Sequence, residues 1–181
     1  MNKYLKPIFW SLAIFLGSCN YQQVIKNLPE MPEIQNSRQT PISRPRVAIS
    51  PDISGLEKSV FAQINQYRKS QNLPALQWNN TIAQQSRIHA QQMASGKTTF
   101  SHDGFQERVE VITQQIKLQS AAENLANNFG YNNPGEQAVE GWIGSPGHQK
   151  NMVGDYNLSG IGIAQNSEGT YFFNQIFIKT R

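Results

Sequence analysis

Residues 158–179, LSGIGIAQNSEGTYFFNQIFIK, form the stretch that decides the fold. Residues 158–165 and 170–179 are rich in Ile, Phe and Tyr, and the polar residues between them are typical of a turn. The pattern predicts an antiparallel β-hairpin. Gly160 and Gly162 inside the first strand indicate either a bulge or the close approach of another backbone.

Upstream of this hairpin, apolar residues recur at helical spacing instead of alternating. A capping-box pattern at residues 54–57 predicts the start of a first helix, which Pro74 ends. Ser145 followed by proline predicts an N-cap and a short last helix through Met152. Other helices are predicted at about residues 80–94, 106–113 and 135–144, and residues 116–118 are a candidate strand. Helices followed by a β-meander predict the α+β class, with helices covering a sheet.

The composition excludes several classes of protein. In 181 residues, 38% are hydrophobic and 15% charged, which is too apolar for a wholly disordered chain. The formal charge is +4, but two basic residues lie in the first 18, and no clustered basic face is present, so we expect no nucleic-acid partner. The single cysteine excludes an intrachain disulfide and a Cys-x-x-Cys zinc knuckle.

Residues 1–18 have the form of a secretory signal peptide. Lys3 and Lys6 give a positive start, and the mostly apolar residues 7–16 that follow are too short to predict a bilayer span. The only cysteine, Cys19, follows small residues and resembles the lipidated cysteine of a bacterial lipobox. Lipidation would attach several acyl chains to this cysteine, and several chains together anchor a protein stably in a membrane. We therefore expect a membrane-anchored lipoprotein. The alternative is an ordinary signal with an incidental cysteine, and hence a secreted protein.

The segment after the signal has the composition of a tether. Residues 19–53 contain five prolines and few apolar residues, without periodicity. Because proline fixes φ and removes a backbone donor, these residues are predicted to form an extended, semi-rigid linker. The domain proper is predicted at residues 54–181, outside the cytoplasm.

Three histidines and one glutamate are the main candidates for chemistry. His89 lies in the middle of a predicted helix, which favours a structural or solvated role. His102 and His148 lie in loop-like segments with small residues, where side chains are often positioned for function. Glu123 lies in an otherwise apolar stretch, and a buried carboxylate needs a partner. Two imidazoles and a carboxylate form a common zinc shell, but no HExxH-type spacing joins these residues.

An ordered set of short motifs over about residues 56–181 resembles the CAP superfamily, the cysteine-rich secretory, antigen 5 and pathogenesis-related 1 proteins. The resemblance is to its bacterial SCP-domain branch. The motifs that carry it are Asn65-x-x-Arg68, Leu76-x-Trp78, His89-Ala90, Phe100 to Gly104, Glu123 to Ala126, Trp142 to Met152, Gly160 to Gly162 and Gln175-x-Phe177.

The resemblance implies an α-β-α sandwich with a mainly antiparallel sheet between helices. It also implies a central cavity in which two histidines and two acidic residues bind a divalent metal such as zinc. His102, Glu123 and His148 match three of these ligands, whereas the second acidic position falls on Ser145, which is better placed to cap a helix. The tetrad is therefore at most a triad here. The residues expected around this cleft are Ser145, Asn124, Asp103 and Gln175.

Three functions remain open at this point. The first is a module that binds a metal, a lipid, a small molecule or a cell-envelope ligand without turnover. The second is a zinc-dependent hydrolase or peptidase that uses His102, Glu123 and His148, with Asp103 as the nearest candidate base. A triad of Ser145, His148 and Glu123 is a weaker variant, because nothing indicates an oxyanion hole.

The third interpretation is purely structural. His102 and Glu123 would hold two loops together through a hydrogen bond, and His148 would cap a helix. The aromatic residues Phe129, Tyr131 and 171–173 would then belong to the core, although they could also line a ligand groove.

Overall fold

The computed structural model describes residues 52–181, so the predicted signal peptide, Cys19 and nearly all of the predicted linker lie outside the described residues. None of the helices in this range is long and apolar enough to cross a membrane. The elements are α1 Ile53–Ser70, β1 Gln77–Trp78, α2 Asn80–Ala94, α3 Phe105–Thr113, β2 Leu118–Asn128, α4 Pro134–Gly144, α5 Pro146–Met152, β3 Leu158–Gln165 and β4 Tyr171–Thr180.

The predicted hairpin is confirmed and forms the centre of a four-stranded sheet. β3 and β4 pair antiparallel, and the order across the sheet is β1-β3-β4-β2. Because β1 runs parallel to β3, the sheet is mixed, and the α+β class is confirmed. The candidate strand at residues 116–118 is corrected: β2 begins at Leu118 and continues to Asn128, so Glu123 lies on an edge strand. β1 was not predicted, since two residues are too few to show a period.

The two strand glycines let α2 lie directly against β3. A Cβ on Gly160 would overlap the backbone of Ala83, and a Cβ on Gly162 would overlap the backbone of Arg87. The predicted close approach is therefore confirmed. Side chains at these positions would hold the helix away from the sheet.

The first helix begins earlier than the capping-box pattern predicted. Its N-cap is Asp52, whose Oδ1 accepts a hydrogen bond of 2.9 Å from the Gly55 amide, and Ser54 lies within the first turn. Asp and Ser are comparably good N-caps, so the local pattern alone did not distinguish them. The helix also ends at Ser70, before Pro74.

Apolar side chains pack on both faces of the sheet. On β4, Phe173 and Phe177 point toward α1 and α4, whereas Ile176 and Ile178 join Ile82 of α2. This alternation has the period of two that a strand imposes. The same alternation holds on the neighbouring strand β2, so consecutive side chains of β2 project to opposite faces of the sheet.

Two arginines tie the helices to the sheet and to one another, Arg68 from a buried position and Arg87 from a half-buried one. The Arg68 guanidinium, on α1, donates to the carbonyl oxygens of Pro74, Met152 and Gly154 at 2.8–2.9 Å, which fixes the end of α5. Burial lowers the pKa of Arg68. Glu57 of α1 pairs with Arg87 of α2, and the two contacts from Arg87 Nε measure 2.9 and 3.0 Å.

Candidate functional site

Glu123 is the centre of a cluster of hydrogen-bonded polar side chains. Its side chain is only 1% exposed. Oε2 lies 2.8 Å from His102 Nδ1, and Oε1 accepts a hydrogen bond of 2.6 Å from Asn174 Nδ2. Arg108 Nη2 donates to Oε1 at 2.8 Å and to Oε2 at 3.0 Å, and Arg108 Nε donates to Oε1 at 3.1 Å. The partner that a buried carboxylate needs is therefore a guanidinium.

Arg108 was missed by the sequence analysis, although α3 carries a signal for it. Arg108 falls on the same helical face as Phe105, Val109 and Ile112, and is buried with Val109 and Ile112. A cation on an apolar face indicates a buried counter-charge. Its Nη1 also donates to the Asp103 carbonyl at 2.9 Å, which ties the loop before α3 to the same pair.

His89 contacts the backbone of the loop that carries His102. Nε2 of His89, fully buried in α2, lies 2.9 Å from the Ser101 carbonyl oxygen. Burial lowers the pKa of His89, and a neutral ring that donates from Nε2 leaves Nδ1 as an acceptor. Nδ1 has no partner within residues 52–181. A structural role for His89 fits these contacts.

His148 lies near this cluster, where α5 packs beside β2. Glu123 pairs in register with Ile176, and Asn124 with Gln175, so the two β2 side chains face opposite ways. Asn124 Nδ2 donates to the His148 carbonyl at 3.1 Å, on the α5 side. Burial, and secondly the charge of His102, lowers the pKa of His148.

The donor set does not fit a three-ligand metal centre in this arrangement. Both oxygens of Glu123 accept hydrogen bonds from Arg108, and a fixed guanidinium repels a divalent cation. Across residues 52–181, no three His, Cys, Asp or Glu side chains come together as a metal site. Metal binding by His102, Glu123 and His148 remains a prediction. The hydrogen bond between His102 and Glu123 expected under the structural interpretation is present.

A cleft of about 520 Å³ opens beside this cluster, between α4 and the end of β2. Ser145, one of the residues named for the predicted His/Glu cleft, lines this one. Ser145 is the N-cap of α5 by position, but its side chain makes no capping hydrogen bond, so the hydroxyl is free to face the cleft. The full lining is Phe100, Leu125, Ala126, Asn127, Asn128, Tyr131, Gln137, Ala138, Gly141, Trp142, Ser145 and His148.

The other residues expected around the cleft lie elsewhere. Asn124 is fully buried beneath His148. Asp103 borders a separate depression between α2 and α3. Gln175 is fully buried and donates to Ser159 Oγ at 3.1 Å. Of the aromatic residues considered for a groove, Tyr131 lines the cleft, whereas Phe173 is in the core.

Several known proteins share this architecture. The CAP family model, described as the cysteine-rich secretory protein family, matches residues 61–177. The uncharacterized membrane protein YlbC of Bacillus subtilis (strain 168) is 30% identical over 129 residues, which are 68% of this chain and 34% of YlbC. The chain thus spans about a third of that relative's length.

Two solved structures have the same fold. An outer surface protein from Borrelia burgdorferi gives a TM-score of 0.62 at 20% identity, covering 72% of this chain and 97% of that one. An extracellular protein containing an SCP domain from Bacillus anthracis str. Ames gives 0.57 at 28% identity, covering 70% of this chain and 41% of that one.

Proposed function

The chain belongs to the cysteine-rich secretory protein (CAP) family, and we propose that it is a lipid-anchored, extracytoplasmic binding domain whose cleft takes a small uncharged ligand without turnover. The observation that carries this proposal is the cleft beside α4. Its volume, about 520 Å³, lies in the range of small-molecule sites. Its wall combines aromatic and carboxamide side chains, the mixture typical of such sites.

The location rests on the N-terminus and on the relatives. Signal-like residues end at the only cysteine, YlbC is called a membrane protein, and the B. anthracis relative is extracellular. Cys19→Ser should shift the chain from the membrane fraction to the soluble extracytoplasmic fraction. Unchanged membrane retention of this variant would count against lipidation.

Ligand binding in the cleft can be tested with two neutral probes, propan-2-ol and acetamide, followed by amide chemical-shift mapping. Gly141 lines the cleft, and a Cβ there meets nothing within 4 Å, so Gly141→Leu should fill the cleft without disturbing the fold. Gly144, on the same helix and equally open, does not line the cleft, and Gly144→Leu is the matched control. Shifts should cluster around the cleft and disappear only in Gly141→Leu. Shifts scattered over the surface would refute the proposal.

The predicted metal site, which the pairing of Glu123 with Arg108 disfavours, has its own experiment. Calorimetric titration of Zn²⁺ should be carried out on the wild type and on His102→Ala and His148→Ala. Tight binding lost in both variants would support a metal site, and the absence of binding at neutral pH would exclude one.

Turnover is not proposed. A hydrolase needs a free general base within reach of a bound water. Glu123 is already paired with Arg108, and Asp103 is exposed, its Oδ2 accepting from Ser101 Oγ at 2.8 Å. Chelator-sensitive protease or esterase activity would overturn this view.

A further inference from the structure

The cleft has no permanently charged wall. None of its twelve lining residues is Asp, Glu, Lys or Arg, and His148 and Tyr131 are the titratable ones. A charged ligand would lose its hydration here without gaining a counter-charge from the wall, which disfavours ionised ligands.

Carboxamides and a hydroxyl supply most of the polar groups of the cleft. Asn127, Asn128 and Gln137 each offer two donors and one acceptor, and Ser145 adds a hydroxyl. Asn128 Nδ2 donates to the Pro134 carbonyl at 2.8 Å, and its Oδ1 has no partner within the described part of the chain. This surface matches a ligand with several neutral hydroxyl or amide groups.

Two partly exposed aromatic rings, those of Phe100 and Tyr131, line the same cleft. Phe100 is 48% exposed and Tyr131 is 53% exposed, which is high for large rings that pack well elsewhere in the domain. Half-exposed rings next to carboxamides suit a ligand with one apolar face and a polar edge. A pyranose ring has this form, with C–H bonds on its face and hydroxyls around its rim.

The cleft suits an extended peptide or an acyl chain less well. β2 is an edge strand, but Trp142 Nε1 already donates to the Leu125 carbonyl at 2.8 Å, and Asn151 donates to the Glu123 carbonyl at 3.2 Å. These side chains block strand addition in the middle of the edge, next to the cleft. An acyl chain would leave the carboxamides desolvated and unpaired.

We infer that the cleft binds a neutral saccharide of one or two pyranose rings, an inference that rests on the proposed ligand-binding function. The rings of Phe100 and Tyr131 contact the apolar face of the sugar. Asn127, Gln137 and Ser145 bond its hydroxyl or acetamido groups.

The test is a calorimetric and chemical-shift titration of the full chain carrying Cys19→Ser. The probes are cellobiose and N,N′-diacetylchitobiose, with 1-decanol and N-acetyl-trialanine amide as the acyl and peptide probes. One disaccharide should bind more tightly than decanol or the peptide, and Gly141→Leu should weaken it at least about tenfold. Gly144→Leu should leave the affinity unchanged within about twofold.

Three outcomes would overturn the inference, and they differ in what they leave standing. If neither disaccharide binds, while propan-2-ol and acetamide still map to the cleft, the binding function survives and the saccharide assignment fails. Preferential binding of decanol or of the peptide has the same meaning. If no probe maps to the cleft, the proposed function fails as well.

Discussion

Replacing Arg108 by methionine tests whether the guanidinium is what makes a buried Glu123 tolerable. The side chains of Arg108 and Glu123 are 9% and 1% exposed, and three nitrogen–oxygen contacts of 2.8–3.1 Å join them. Removing one partner of a buried ion pair typically costs about 3–5 kcal/mol, because the other charge stays desolvated. Asn174 and His102 still face the carboxylate, so we expect the lower end, about 3 kcal/mol.

The measurement is the free energy of unfolding in urea at neutral pH, followed by circular dichroism. In Arg108→Met/Glu123→Gln, the charge is gone while the amide oxygen still accepts from Asn174. This double variant should be at least as stable as Arg108→Met alone. Glu123→Gln alone should cost about 2 kcal/mol, because it leaves the buried guanidinium without its counter-charge. The double-mutant cycle then gives an interaction free energy of about 2 kcal/mol in magnitude. Lys58→Met, at an exposed position on α1, controls for loss of a positive charge and should change stability by less than about 0.5 kcal/mol.

A loss of unfolding free energy below about 1 kcal/mol in Arg108→Met, or additivity of the two substitutions within about 0.5 kcal/mol, would refute the reasoning.

The Arg108→Met variant has a second readout, its affinity for Zn²⁺. Because it removes the positive charge from both oxygens of Glu123, it should bind Zn²⁺ more tightly than the wild type, and His102→Ala should reverse this gain. Equal Zn²⁺ affinity in the wild type and Arg108→Met would show that the guanidinium does not exclude the metal.

Three further predictions follow from the packing. Gly162→Ala should destabilise the domain by about 3 kcal/mol in thermal or urea unfolding, because the new Cβ would overlap the backbone of Arg87. An unfolding midpoint equal to that of the wild type would contradict this prediction. Burial lowers the pKa of His89, so on acidification the unfolded chain protonates this histidine at a higher pH than the folded chain does. The contribution of His89 to the free energy of unfolding should therefore be complete above about pH 6.5. Below that pH it should fall by up to about 1.4 kcal/mol per pH unit. His89→Gln should flatten that pH profile, and an unchanged profile would assign the loss to other groups. Arg68→Met should lower the free energy of unfolding by about 3 kcal/mol or more in the same assay, because it leaves several carbonyl oxygens, such as the buried one of Met152, without a hydrogen-bond donor. A loss under about 1 kcal/mol would mean that water replaces the guanidinium.

Much of the fold could be predicted from local pattern. The hairpin of β3 and β4, the close approach at Gly162 and the start of α5 after Ser145 all follow from period, glycine and proline. Strand β2 was underestimated, because its small and polar residues lack the aromatic and β-branched composition that marks the hairpin.

The site was only partly predictable. The contact between His102 and Glu123 was expected, and the commitment of Glu123 to Arg108 was not. His148 was expected in the same centre, and its place there stays a prediction. The sequence analysis did not anticipate that alternation along β2 directs Asn124 toward α5 and Glu123 toward α3.

The sequence by itself determined the helices, the hairpin and the family, because periodicity and turn residues act over a few neighbouring positions. Only the tertiary structure decided which charge meets Glu123 and which rings surround the cleft. Arg108 and Asn174 reach Glu123 from 15 residues before it and 51 residues after it. Contacts at such separations depend on how the helices pack on the sheet, and local periodicity does not specify that packing.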